Sequence, residues 1–155
     1  MKLIKYPHNP ILSPHARHPW ENLVVCNPGV IYDRGTFYML YRCAGEDATH
    51  FIHFGLAVSR DGFHFRRVST QPILSPSADG EDGGCIEDPR IVKMNGCFFI
   101  TYAYRPYPPG QYWLQPGNAA YNPRKHSLPK AFGQNLTCSG LLIPRIFSLP
   151  GLAPM

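Results

Sequence analysis

The residues best equipped for chemistry in this 155-residue chain lie in one short run, Gly83-Gly84-Cys85-Ile86-Glu87-Asp88-Pro89-Arg90. Two adjacent carboxylates are the side chains that carry protons, and the guanidinium two residues on is the group that holds a carboxylate or a phosphate. Gly83 and Gly84 permit a tight backbone turn and Pro89 fixes φ, so the charged groups arrive together at the start of a strand. The same residues fit a purely structural reading equally well, in which Asp-Pro opens a turn and Arg90 pairs with Glu87 on the surface.

What must position this run is a repeat. Asn27-Pro28-Gly29-Val30-Ile31, Gly35 and Phe37-Tyr38-Met39-Leu40-Tyr41 return without gaps, 61 residues on, as Asp88-Pro89-Arg90-Ile91-Val92, Gly96 and Phe98-Phe99-Ile100-Thr101-Tyr102. Asn9-Pro10-Ile11-Leu12-Ser13-Pro14 returns at a spacing of 62 as Gln71-Pro72-Ile73-Leu74-Ser75-Pro76. A long period carrying several short strands is the signature of a β-propeller, whose blades bury their apolar faces only by stacking on neighbours. Strands are expected at Val24–Cys26, Val30–Tyr32, Phe37–Arg42, Phe54–Ser59, His64–Val68, Arg90–Lys93 and Cys97–Tyr104. Turns are expected at Asp33–Thr36, Arg60–Phe63 and Met94–Gly96. Asn27 and Asp88 take equivalent places in successive blades, near the axis where the innermost strands begin, and are expected to face one cavity. A propeller of this period needs roughly 250–300 residues to close four or five blades, so the chain holds about two and a half. The expectation is an incomplete, N-terminal fragment, with self-association through the open propeller edge.

Composition fits an all-β protein: 44% apolar and 13% aromatic residues, 17 Pro, 14 Gly and 16% charged residues. The net charge of +5 is spread along the chain, with Arg66-Arg67 the densest basic pair, which argues against nucleic acid as a partner and leaves a small anion such as phosphate compatible. No apolar run reaches the ~20 residues of a membrane span, and no signal-peptide core of about 7–15 apolar residues follows Met1, so a cytoplasmic location with no membrane partner is expected. Five Cys without a Cys-x-x-Cys pair read as reduced structural thiols. His50 and His53, three apart on an expected strand, would point to opposite faces, so no metal site is expected. Trp20, Tyr104, Tyr107, Tyr112 and Trp113 divide between stacking on sugar rings and filling blade cores. The Pro- and aromatic-rich excursion 105–123 is longer than a blade turn requires, and the Asn135-Leu136-Thr137 sequon carries little weight without an export signal.

Asn27-Pro28-Gly29, Tyr41-Arg42, the run Gly55-Leu56-Ala57-Val58-Ser59-Arg60-Asp61-Gly62-Phe63-His64-Phe65, and Glu87-Asp88-Pro89-Arg90-Ile91 with Ile100-Thr101-Tyr102 together resemble glycoside hydrolase family 130, the mannoside phosphorylases and mannosidases. The resemblance covers about residues 7–143 and implies a five-bladed β-propeller acting on β-mannosides, by phosphorolysis to mannose 1-phosphate or by hydrolysis. It assigns Asp88 as general acid, Asn27 and Arg42 as contacts to the mannosyl unit, and Glu87 as lining the same pocket. It also implies a proton route through a sugar hydroxyl. Arg90 either orients the carboxylates or approaches phosphate. No cofactor is implied; inorganic phosphate is the co-substrate, so no second carboxylate base is required.

The family continues for further blades that supply other sugar contacts and most of the phosphate-binding basic residues. Ser139–Ile143 resembles the Gly55–Val58 strand, and 144–155 reads as a foreign tail, so a partial propeller domain is expected over 1–143. Two alternatives stand: an inactive or merely sugar-binding remnant, and another five-bladed propeller glycosidase. The latter needs an acidic residue early in the first blade, where this chain has Asn27.

Overall fold

Apolar and aromatic residues flank Arg34-Gly35 and Asn95-Gly96, and both stretches fold into hairpins in the computed structural model, which describes residues 2–47, 49–77, 85–105 and 139–143. Regular structure there is all strand: β1 (Val24–Asp33), β2 (Thr36–Ala44), β3 (Ile52–Ser59), β4 (Arg66–Arg67), β5 (Cys85–Met94), β6 (Cys97–Arg105) and β7 (Ser139–Ile143). The strands form a four-stranded sheet in the order β1-β2-β3-β4 and a three-stranded sheet in the order β5-β6-β7, each antiparallel. Arg34 and Gly35 have φ of 46° and 79°, and Asn95 and Gly96 have 50° and 77°. Positive φ at both central residues is the two-residue hairpin turn whose twist matches the flanking strands.

The sheets copy one another as the repeat requires. Gly55 lies opposite Tyr41 in the first, and Ser139 lies opposite Tyr102 in the second. A Cβ on Gly55 would run into the ring of Tyr41, which is itself buried. Gly55→Ala is therefore expected to destabilise the fold by about 1–3 kcal/mol, the range for overpacking a core; an unchanged urea midpoint would contradict this contact.

One apolar cluster joins the sheets: Leu40 and Phe54 from the first meet Ile86, Ile91, Ile100, Tyr102 and Tyr104 from the second, with Ile73 and Leu74 packed alongside. Leu74 bridges to Phe54, whose carbonyl also accepts from Ile73 N at 2.9 Å. The earlier copy of that segment, Ile11-Leu12, packs instead on the other face of the first sheet against Met39, Tyr41, Cys43 and Ala57. The two Pro-Ile-Leu-Ser-Pro segments thus each cover one face of the first blade-like sheet. An ion pair between Lys93 Nζ and Asp33 Oδ1 at 2.6 Å ties β5 to β1.

Several expectations change in detail. The inner strand does not stop at Asn27-Pro28-Gly29; it runs on through a bulge. The strand expected over His64–Val68 shrinks to Arg66–Arg67, because Asp61 Oδ1 accepts from Phe63 N at 2.8 Å and His64 N at 2.9 Å and keeps them in the turn. His50 lies outside β3, with Nδ1 against Gly45 O at 2.9 Å, while His53 meets Ser75 Oγ at 3.0 Å. Trp20 and Tyr104 take core roles, Trp20 donating to Thr70 O at 2.8 Å. Cys26, Cys43, Cys85 and Cys97 are free thiols. Gly83-Gly84, Tyr107, Tyr112, Trp113, the sequon and 144–155 lie outside the described residues, as does any further half blade. No helix among the described residues is long and apolar enough to cross a membrane.

Candidate active site

Each inner strand carries one extra residue at the same point of the repeat. On β1 the register with β2 shifts between Cys26 and Gly29, and on β5 the register with β6 shifts between Glu87 and Arg90. Asn27-Pro28 and Asp88-Pro89 are the bulged pairs, and Tyr41 and Tyr102 are the residues they oppose. Asn27 has φ of 45° and Asp88 of 52°. Asn and Asp are the non-glycine residues that tolerate this left-handed region best, which is a local reason for their occurrence at both sites. The bulges dock backbone to backbone: a Cβ on Gly29 would lie 2.7 Å from the carbonyl oxygen of Pro89.

This docking brings the two repeat-equivalent side chains into contact. Asn27 Nδ2 donates to Asp88 Oδ1 at 2.7 Å. Arg42, on β2 beside the first bulge, places Nη1 3.3 Å from Asp88 Oδ1 and 3.0 Å from Glu87 Oε2. Cys85 Sγ donates to Glu87 Oε1 at 3.3 Å. One guanidinium thus bridges both carboxylates. The Glu87 side chain is 10% exposed, whereas Asp88 is 42% exposed and open to a ligand. The Asn27 hydrogen bond holds the Asp88 carboxyl below the usual aspartate value; its partial burial opposes this, and Arg42 and Arg90 reinforce it. Because the folded pKa lies below the unfolded one, these contacts add stability above the ordinary aspartate range, and it is lost as pH falls through the folded value. Burial keeps the neighbouring Cys26 thiol above its ordinary value, against the pull of Arg42.

Of the five residues singled out in the sequence, Asn27, Arg42, Glu87 and Asp88 meet in one cluster. The surface pairing of Arg90 with Glu87 does not form, because Arg42 occupies Glu87. Arg90 Nη1 instead donates to the carbonyls of Asp88 at 3.2 Å and Pro89 at 2.9 Å, bracing the bulge beneath the acid. The sequence reading missed Cys85 as a partner of Glu87 and Gly29 as the contact between bulges. The gap-free match of Gly29 with Arg90 hides that contact, since the two residues do unlike jobs at one repeat position. Gly29→Ala is expected to force the bulges apart against unyielding backbone, costing about 1–3 kcal/mol in urea unfolding. A variant as stable as the parent would show that the bulges do not touch.

The family profile of glycoside hydrolase family 130, described as β-1,4-mannooligosaccharide phosphorylase, matches residues 2–112, which include the whole cluster. The chain belongs to glycoside hydrolase family 130. It is 36% identical over 107 residues to a 1,2-β-oligomannan phosphorylase of Thermoanaerobacter sp. (strain X514), a match taking in 66% of this chain and 36% of that one. A β-1,2-mannobiose phosphorylase of the same organism is 34% identical over 112 residues, covering 65% and 36%. Among solved structures, a family 130 glycoside hydrolase that targets β-1,2 mannosidic linkages in Candida mannan superposes with a TM-score of 0.56 at 26% identity, covering 65% of this chain and 33% of that one. A glycosyl hydrolase from Bacteroides ovatus gives 0.57 at 28% identity, covering 65% and 34%. The chain therefore spans little more than a third of the relatives it matches.

Proposed function

We propose that this chain carries the acid-bearing part of a β-mannoside phosphorylase, with Asp88 as general acid and a β-1,2-linked mannoside as the substrate class. The observation that carries the reading is the junction of the two bulges, where an amide, a guanidinium and an accessible carboxylate converge from successive sheets. Such a cluster suits a sugar ring: Asn27 and Arg42 offer donors to hydroxyls, and Asp88 offers the proton. The bond from the anomeric carbon to the leaving sugar oxygen breaks, a phosphate oxygen bonds to that carbon, and the proton of Asp88 reaches the leaving oxygen through a sugar hydroxyl. Glu87, paired with Arg42 and Cys85, fixes the guanidinium that faces the sugar.

Asp88 is a carboxylate in the unliganded cluster and must be protonated to act as an acid. Binding supplies the bias, because a phosphate anion adds like charge nearby and a sugar ring removes water, and both raise a carboxyl pKa. The linkage follows two curated relatives, both of which carry 1,2-linked mannosides in their names. The test is to supply β-1,2- and β-1,4-mannobiose with and without inorganic phosphate and to identify products. Phosphate-dependent mannose 1-phosphate from the 1,2-linked sugar is the expected result. Free mannose formed equally without phosphate would make the activity hydrolytic, and no turnover would refute catalysis by this chain.

A further inference from the structure

Both hydrogen bonds to the Asp88 side chain end on one oxygen. Asn27 Nδ2 and Arg42 Nη1 approach Oδ1 at 2.7 and 3.3 Å, and no donor reaches Oδ2 among the described residues. The carboxylate is therefore anchored on one side and open on the other. The charged and titratable groups around it are Arg42 on β2, Glu87 and Arg90 on β5, and the Cys26 thiol on β1. Arg42 is already engaged with Glu87, and Arg90 is turned onto backbone carbonyls. That leaves Asn27 as the shortest contact and the one whose geometry the fold itself enforces, through the left-handed bulge and the Gly29–Pro89 backbone contact.

We infer that Asn27 is a positioning residue for the acid: its amide fixes Oδ1 of Asp88 and leaves Oδ2 as the oxygen that takes up and delivers the proton. This rests on the reading of Asp88 as general acid, and it gives Asn27 a role beyond contact with the mannosyl unit. It also explains why the repeat places an amide opposite the acid instead of a second carboxylate. Two carboxylates at this separation would share one proton, and one of the pair would titrate far above the ordinary range. An amide locks the acid without competing for its proton.

The test uses two substitutions that both accept positive φ, Asn27→Gly and Asn27→Asp, so the bulge is retained. The side-chain carboxyl of Asp88 is followed by carbon-13 NMR as a function of pH in the whole chain. Its midpoint is expected to rise in Asn27→Gly, and in Asn27→Asp two coupled titrations are expected, one above the ordinary aspartate range. An Asp88 midpoint identical in the parent and in Asn27→Gly would overturn the inference. Because this readout needs no turnover, a shifted midpoint in a chain that releases no mannose 1-phosphate would leave the Asn27–Asp88 hydrogen bond standing and would refute the catalytic reading, and with it proton delivery from Oδ2.

Discussion

Asp88→Asn is expected to lower mannosyl transfer from β-1,2-mannobiose to phosphate by a factor of about 10²–10⁴, the usual contribution of a positioned acid. The fold should survive. Asn tolerates the left-handed conformation of residue 88, and its carbonyl oxygen can accept from Asn27 and Arg42 as Oδ1 does now. Since only the proton is removed, the loss should depend on the leaving group. An aryl β-mannoside, whose phenolate departs with little protonation, should lose much less activity than mannobiose. Equal losses on both substrates would mean that residue 88 serves binding or structure and not proton delivery.

Glu21→Ala is expected to be the most destabilising single change outside the site. Glu21 is fully buried, and its carboxylate accepts from His18 Nδ1 at 2.5 Å, from Arg67 Nε at 2.7 Å and from Tyr41 OH at 3.0 Å. Arg67 also lies over the Tyr41 ring at 5.9 Å and donates to Ser13 O at 2.5 Å. The carboxylate thus pins the segment before β1 to β4 and to the face of β2. Burial, then the charge of Glu21, holds the Tyr41 phenol far above its usual value, so it remains a donor at every physiological pH. Removing one member of a buried ion pair costs about 3–5 kcal/mol, and water reaching the partly exposed Arg67 places this case at the lower end. A fall in Tm of about 10 °C follows for a chain of this size. Glu21→Gln, which still accepts from Tyr41, should lose less; two variants as stable as the parent would show that the network does not hold the segment.

The repeat made the two similar hairpins and the equivalent placement of Asn27 and Asp88 legible, because both turns and both apolar alternations recur without a gap. The bulges were not legible. A residue before proline is expected to be extended, so Asn27-Pro28-Gly29 reads as the end of a strand, whereas tertiary docking of the two sheets holds it in a left-handed kink within one. Arg42 entered only through the family resemblance, and its bridging of both carboxylates needed the register of β2 against β1. Arg90 shows the opposite failure: a guanidinium three residues from Glu87 suggests an ion pair, but the bulge turns the Asp88 and Pro89 carbonyls toward it first. Glu21 gave no signal, since an acidic residue in a polar, His-rich segment reads as surface and its partner Arg67 is 46 residues away.

The central claim is that one sugar-binding site spans the two bulges. Its most direct test is to titrate β-1,2-mannobiose into nitrogen-15-labelled chain while following the side-chain amide of Asn27 and the Nε–H of Arg42. The two signals are expected to shift together and to saturate at a common ligand concentration, because both groups flank the same carboxylate. Saturable shifts elsewhere in the chain, with Asn27 and Arg42 unmoved, would contradict the site described here.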